Sequence, residues 1–122
     1  MQNNFGFTKS EWVPPHELPD ITDAKVIAFD LETYDPQLKT TGPGWTTKTG
    51  HIIGVAVAVD GWKGYYPIRH ENGFNWDRRR VLSWVKKLMQ TNAIKVAHNA
   101  IYDLGWLYAE GIEVKGPIVD TM

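Results

Sequence analysis

The chain has 122 residues, with 13 Lys plus Arg against 14 Asp plus Glu and no cysteine, the size of one modest domain with a small core of its own. A hydrophobic share of 43% and a charged share of 22% exclude long disorder and fibrous repeats. Without cysteine there is no disulfide framework, thiol nucleophile or thiolate-bound zinc, and His16, His51, His70 and His98 are too scattered for a local zinc motif, so a metal site must draw on carboxylates.

Residues 1–24 hold Pro14, Pro15 and Pro19 among polar residues, with Trp12 and Val13 the main apolar anchors, and read as an arm leading into a domain at 25–122. Met1 to Glu11 contains no apolar block, so no secretory signal is expected. Val26 to Glu32 is β-branched and aromatic and then meets Asp35-Pro36, which predicts a buried strand with a charged end. Residues 35–50 carry Pro36, Gly42, Pro43, Gly44, Gly50 and five threonines, the composition of a long loop. His51 to Val59 predicts a second strand, too short to span a bilayer, and Asp60-Gly61 a turn. Gly64 to Ile68 then supplies a third strand, and the three make an antiparallel meander.

Val81, Trp84, Val85, Leu88 and Met89 recur at helical spacing, with Asn75 or Asp77 as the cap. Arg78, Arg79, Arg80, Lys86 and Lys87 give that helix a basic face, more often a solvated surface than a phosphate contact. The chain's charge is also uneven: residues 1–60 carry 4 basic and 8 acidic groups, residues 61–122 carry 9 and 6. Lys95 to His98 predicts a fourth strand, and Asn99 caps a helix whose Ile101, Leu104 and Tyr108 share a face. Val114 to Val119 reads as extended, and Asp120-Thr121 as the start of a further helix, so the chain is expected to be the front part of a larger domain. Trp62, Trp84 and Trp106 read as core or edge aromatics, and His98 is given no role.

Strand alternation puts Asp30 and Glu32 on one face, and helical spacing puts Asn99 and Asp103 on another. Alone, each pair is ordinary. Together they form an acidic cluster whose like charges raise one another's pKa unless a cation intervenes. Mg²⁺ or Mn²⁺, which take oxygen ligands, relieve that repulsion, and two such ions are the usual means of phosphodiester hydrolysis.

The runs Ala28-Phe29-Asp30-Leu31-Glu32-Thr33, Val96-Ala97-His98-Asn99-Ala100-Ile101-Tyr102-Asp103 and Val119-Asp120-Thr121-Met122 resemble the DnaQ-like (DEDD) 3′-5′ exonuclease superfamily. The likeness is strongest to the proofreading exonuclease domain of phage-type family A DNA polymerases, and it spans Lys25 to Met122. The resemblance implies an α/β, ribonuclease H-like fold: a mixed sheet with an antiparallel three-strand meander, then a parallel strand, with flanking helices. It implies two-metal hydrolysis, with Mg²⁺ or Mn²⁺, of the terminal phosphodiester of a single-stranded DNA 3′ end. By position Asp30 would bridge both metals, Glu32 would hold the one that activates water, and Asp103 would bind the second. Thr33, Asn99 and Tyr102 would line the pocket for the terminal nucleotide.

Trp45 and Lys48, in the long loop, are weaker DNA-contact candidates, by stacking and charge. The implied partner is a polymerase domain or the remainder of the exonuclease, in the same or a separate chain. The implied setting is the cytoplasm of a bacterial or phage-infected cell, with no membrane. The family's third motif, a Tyr or His followed by a last metal-binding Asp, belongs several dozen residues further on. With three acids, the chain alone is expected to bind Mn²⁺ weakly and to turn over near background. Two alternatives stand beside this: a catalytically incomplete fragment acting as a nucleic-acid or polymerase-binding module, and an RNase-type exonuclease of the same superfamily.

Overall fold

The computed structural model describes residues 13–122. Within them a five-stranded sheet forms from β1 (Val26–Tyr34), β2 (His51–Val59), β3 (Trp62–Pro67), β4 (Ile94–Ala97) and β5 (Ile118–Asp120), in the order β3-β2-β1-β4-β5. The β1, β2 and β3 strands are the expected antiparallel meander, turning at Gly61, whose φ of 83° suits a residue without a side chain. Both β4 and β5 run parallel to β1.

Alternation gives the sheet two unlike faces. Phe29 and Leu31 lie opposite Val57 and Val55, and Val55 opposite Tyr66; with Ile27 they bury in one core with Val81, Val85, Leu88 and Met89 of helix α3 (Arg78–Met89). Helix α4 (Ala100–Ala109) adds Trp106 and Leu107 to that core. The opposite face carries Ala28, Asp30 and Glu32, flanked across β2 by Ala58, Ala56 and Gly54. Its small side chains leave the acids standing proud.

Asp77 caps α3, as expected, accepting from the Arg79 amide at 3.2 Å. The loop after β1 contains two single helical turns, α1 (Leu38–Thr41) and α2 (Gly44–Thr47). Residues 13–24 do more than lead in: the Pro15, Glu17 and Pro19 carbonyls accept from Trp76 Nε1, the Tyr66 hydroxyl and Trp84 Nε1, at 3.1, 2.6 and 2.7 Å. These aromatics therefore keep their polar tips satisfied inside the core. The remainder of the expected arm, Trp12 included, lies outside the described residues.

Two expectations are corrected. The apolar face of α4 is not the buried one: Ile101 and Tyr108 are 75% and 76% exposed, while Ala100, Asp103, Trp106 and Leu107 face inward. Asn99 does not cap α4 with its side chain; it adopts the left-handed conformation, φ 62° and ψ 60°, and Asp120 does the capping. Asp120 itself ends strand β5, and its Oδ1 accepts from the Met122 amide at 2.9 Å. Lys95 is fully buried, its ammonium donating to the carbonyls of Thr91 and Lys115, the latter at 2.6 Å. Desolvation pushes its pKa down, and the two carbonyls replace its water shell.

The two helix faces give a contrast in stability. Leu88→Ala should cost about 2–5 kcal/mol in urea unfolding, because Leu88 has no exposed surface. Ile101→Ala should stay within about 0.5 kcal/mol of wild type; a large loss there would mean that α4 packs by its other face.

Candidate functional site

Strand β4 pairs with β1 only along Val26, Ile27 and Ala28, so from Phe29 onward β1 has no strand beside it on that side. The chain leaves β4 at Ala97, reverses direction through left-handed Asn99, and lays α4 into the gap. Asparagine is among the few L-residues that tolerate this conformation. Asp103, in the first turn of α4, is thereby carried against β1 and is only 3% exposed.

Asp30, Glu32 and Asp103 thus come within electrostatic reach of one another. Burial pushes the Asp103 carboxyl up from its ordinary 3.8 to about 7, and Asp30 reinforces the shift; Asp120 and Glu32 add less, against an opposing hydrogen bond from the Leu31 amide. Glu32 is raised by burial and then by Asp30, while Asp30 is raised by burial against the Leu31 amide and His98. All three move upward, the reverse of what a paired lysine or arginine would produce. Asp103 Oδ2 is buried without a hydrogen-bond partner. Among the described residues, no three His, Asp or Glu side chains converge tightly enough to hold an ion as they stand.

The other expected residues fall into two groups. The Thr33 and Tyr102 hydroxyls are hydrogen-bonded at 3.0 Å, joining the end of β1 to α4. Asn99 is exposed at the head of α4, and its backbone amide donates to Asp120 Oδ1 at 3.0 Å. Trp45 packs on α4: a Cβ at Gly105 would lie 2.2 Å from its ring, so the glycine makes room for the indole. That covers the ring surface a stacking role would use on this side. Lys48 is exposed, closing α2 in the left-handed conformation. Of the basic residues, Arg78 pairs with Glu110 and Arg80 lies 5.2 Å from the Trp76 ring centroid, so part of that face is used internally.

Sequence reading missed Asp35, Tyr65 and His70. Asp35 appeared only as a strand breaker before Pro36, yet it accepts from the Tyr102 hydroxyl at 2.7 Å and from the Gly44 amide at 3.0 Å. It therefore ties the long loop to the helix bearing Asp103. Tyr65 lies on the acidic face, in register with Ala56, which itself faces Asp30. Burial, then Glu32 and Asp30, raise the Tyr65 pKa well above its ordinary value. His70, whose pKa burial lowers, meets the Tyr65 hydroxyl at 2.5 Å. Cross-strand register places Tyr65 beside Ala56 and so near Asp30, and no local spacing signals it.

No family model matches the sequence. A DNA-directed DNA polymerase of Pseudomonas phage M6 is 39% identical over 114 residues, which cover 89% of this chain and 17% of that polymerase. The chain is therefore related to a phage DNA polymerase and spans less than a fifth of its length. No helix among the described residues is long and apolar enough to cross a membrane.

The raised Asp103 pKa sets a pH dependence. A carboxyl with a pKa near 3.8 unfolded and about 7 folded keeps its proton preferentially in the native state. Its contribution is thus fully present below pH 4 and is lost as pH rises through about 7. Asp103→Asn should flatten this fall, leaving the variant more stable than wild type at pH 8 in metal-free buffer. Urea unfolding at pH 5 and pH 8 measures it, and parallel pH profiles for the two proteins would refute it.

Proposed function

We propose that this chain is the front part of a 3′-5′ proofreading exonuclease domain of a DNA polymerase, acting on the 3′ end of single-stranded DNA. One observation carries the proposal: Asp30 and Glu32 on the central strand β1 and the buried Asp103, whose Oδ2 has no hydrogen-bond partner, lie within electrostatic reach of one another with their pKa values all raised. A merely structural acid in such a place would be paired or replaced by an apolar residue. The relationship to a phage DNA polymerase supports the same reading. So does the sheet, a meander β1-β2-β3 with β4 and β5 parallel to β1, which suits a ribonuclease H-like fold.

The donor set is oxygen-only and anionic, which fits Mg²⁺ or Mn²⁺. Each ion of such a pair takes only some of its ligands from protein. Asp30 would serve both ions, Glu32 the one beside the attacking water and Asp103 the other. Such a pair supplies charge stabilisation for the attacking and leaving oxygens. Asp120 is no spare ligand, because its carboxylate already accepts from the amides of Asn99, Ala100 and Met122 at 3.0, 3.0 and 2.9 Å.

The chain's own residues provide the rest. The Thr33 and Tyr102 hydroxyls form a fixed polar wall beside the acids, suited to hold the sugar and phosphate of the last nucleotide. Exposed Asn99 can meet the base or sugar from the head of α4. The polymerase domain is the partner that would deliver a frayed primer end, and DNA is favoured over RNA by the polymerase relative.

Calorimetric titration with Mn²⁺ should show binding that Asp30→Asn weakens by about tenfold or more. In a polypeptide joining this segment to its polymerase, stepwise shortening of a single strand from the 3′ end should fall about 100-fold or more in Asp30→Ala. Shortening that survives both that change and EDTA would count against the proposal.

A further inference from the structure

The Tyr65–His70 pair has no part in the chemistry described so far, yet its setting is specific. Gly54 and Glu32 are directly opposed across β2 and β1. A Cβ built on Gly54 would lie 1.8 Å from the Tyr65 hydroxyl oxygen and 2.3 Å from the ring carbon that bears it. The hydroxyl therefore occupies the place where a side chain at residue 54 would begin. Directly opposed residues hold their Cβ atoms about 5 Å apart, so the hydroxyl stands about that far from the Glu32 Cβ, within reach of its carboxylate. Any residue larger than glycine at 54 would exclude it.

The hydroxyl is held from behind as well. His70 Nε2 meets it at 2.5 Å, with the imidazole edge-on to the phenol ring at 90°. The His70 backbone is clamped in turn: its amide donates to Asn75 Oδ1 at 2.8 Å, and its carbonyl accepts from Asn75 Nδ2 at 2.9 Å. A core tyrosine needs only one hydrogen-bond partner. Here a glycine, a histidine and an asparagine cooperate to aim a phenol at the strand position facing an acidic side chain.

We infer that Tyr65 and His70 are positioning residues for Glu32, the Tyr65 hydroxyl fixing the orientation of the Glu32 carboxylate. With the proton on His70 Nε2, the imidazole donates to the Tyr65 oxygen and the phenol, protonated at neutral pH as tyrosines ordinarily are, donates onward to Glu32. Hydrogen-bonded carboxylates behind a metal site commonly set ligand orientation in this way. The role in metal binding rests on the exonuclease function proposed above; the inferred Tyr65–Glu32 hydrogen bond does not.

Tyr65→Phe removes one oxygen and keeps the ring, so the fold should survive, as a thermal melt will show. In the carbon-13-labelled 122-residue chain at pH 8 without metal, the Glu32 carboxyl resonance should move in Tyr65→Phe while those of Glu110 and Glu113 hold. Mn²⁺ affinity should fall about tenfold, and in a Glu32→Gln background Tyr65→Phe should cost nothing further. An unmoved Glu32 resonance, or an equal loss of Mn²⁺ affinity in both backgrounds, would overturn the inference. If Glu32 responds but wild type binds no Mn²⁺, the pair stands and the metal-dependent function fails.

Discussion

A buried carboxylate without a counter-charge is the constraint around which this structure is organised. Asp103 is almost wholly removed from solvent and lies within electrostatic reach of Asp30 and Glu32, and its Oδ2 has no hydrogen-bond partner. Such a group costs several kcal/mol when ionised, which is why its proton is held up to about pH 7. The cause is topological. A fourth strand that pairs along only three residues of β1 leaves an open edge, and α4 fills it with the face that carries Asp103.

A cluster that repels itself must be held together from outside, and α4 is anchored along its length. At its head, Asp120 accepts from the Asn99 and Ala100 amides, a charge-assisted cap. Along its body, Trp106 and Leu107 enter the core, each worth about 1.5–3 kcal/mol. Tyr102 binds Thr33 and Asp35 and so ties the helix to β1 and the following loop. The exposed Arg78–Glu110 ion pair near its C-terminal end adds about 1 kcal/mol at most. Burial and the cap, not the ion pair, keep the acids in place.

The two faces of the sheet divide the labour. One is large, branched and aromatic and supplies the stability; the other is lined by Ala28, Ala56, Ala58 and Gly54, which leave space above the acids. Gly54 is part of the same economy of space, since its missing side chain admits the Tyr65 hydroxyl.

The meander, the two long helices, the Asp77 cap and the facing of Asp30 with Glu32 were all legible from periodicity and turn residues, because each depends on neighbours within a few positions. The end of β1 moved by two residues, and β3 moved by two at its start and one at its end, where pairing rather than propensity decides. Three features were beyond local reading. The apolar triplet Ile101, Leu104 and Tyr108 suggested the wrong buried face for α4, because the gap beside β1 selects Ala100, Asp103, Trp106 and Leu107. Asn99 looked like a cap, but Asp120, 21 residues away, is the acceptor for its amide, and only the parallel pairing of β5 brings it there. Tyr65 and His70 carried no motif at all. The sequence alone determined which residues alternate and which carry charge; the tertiary structure decided which of them meet, since cross-strand register and helix docking join positions that no local spacing relates.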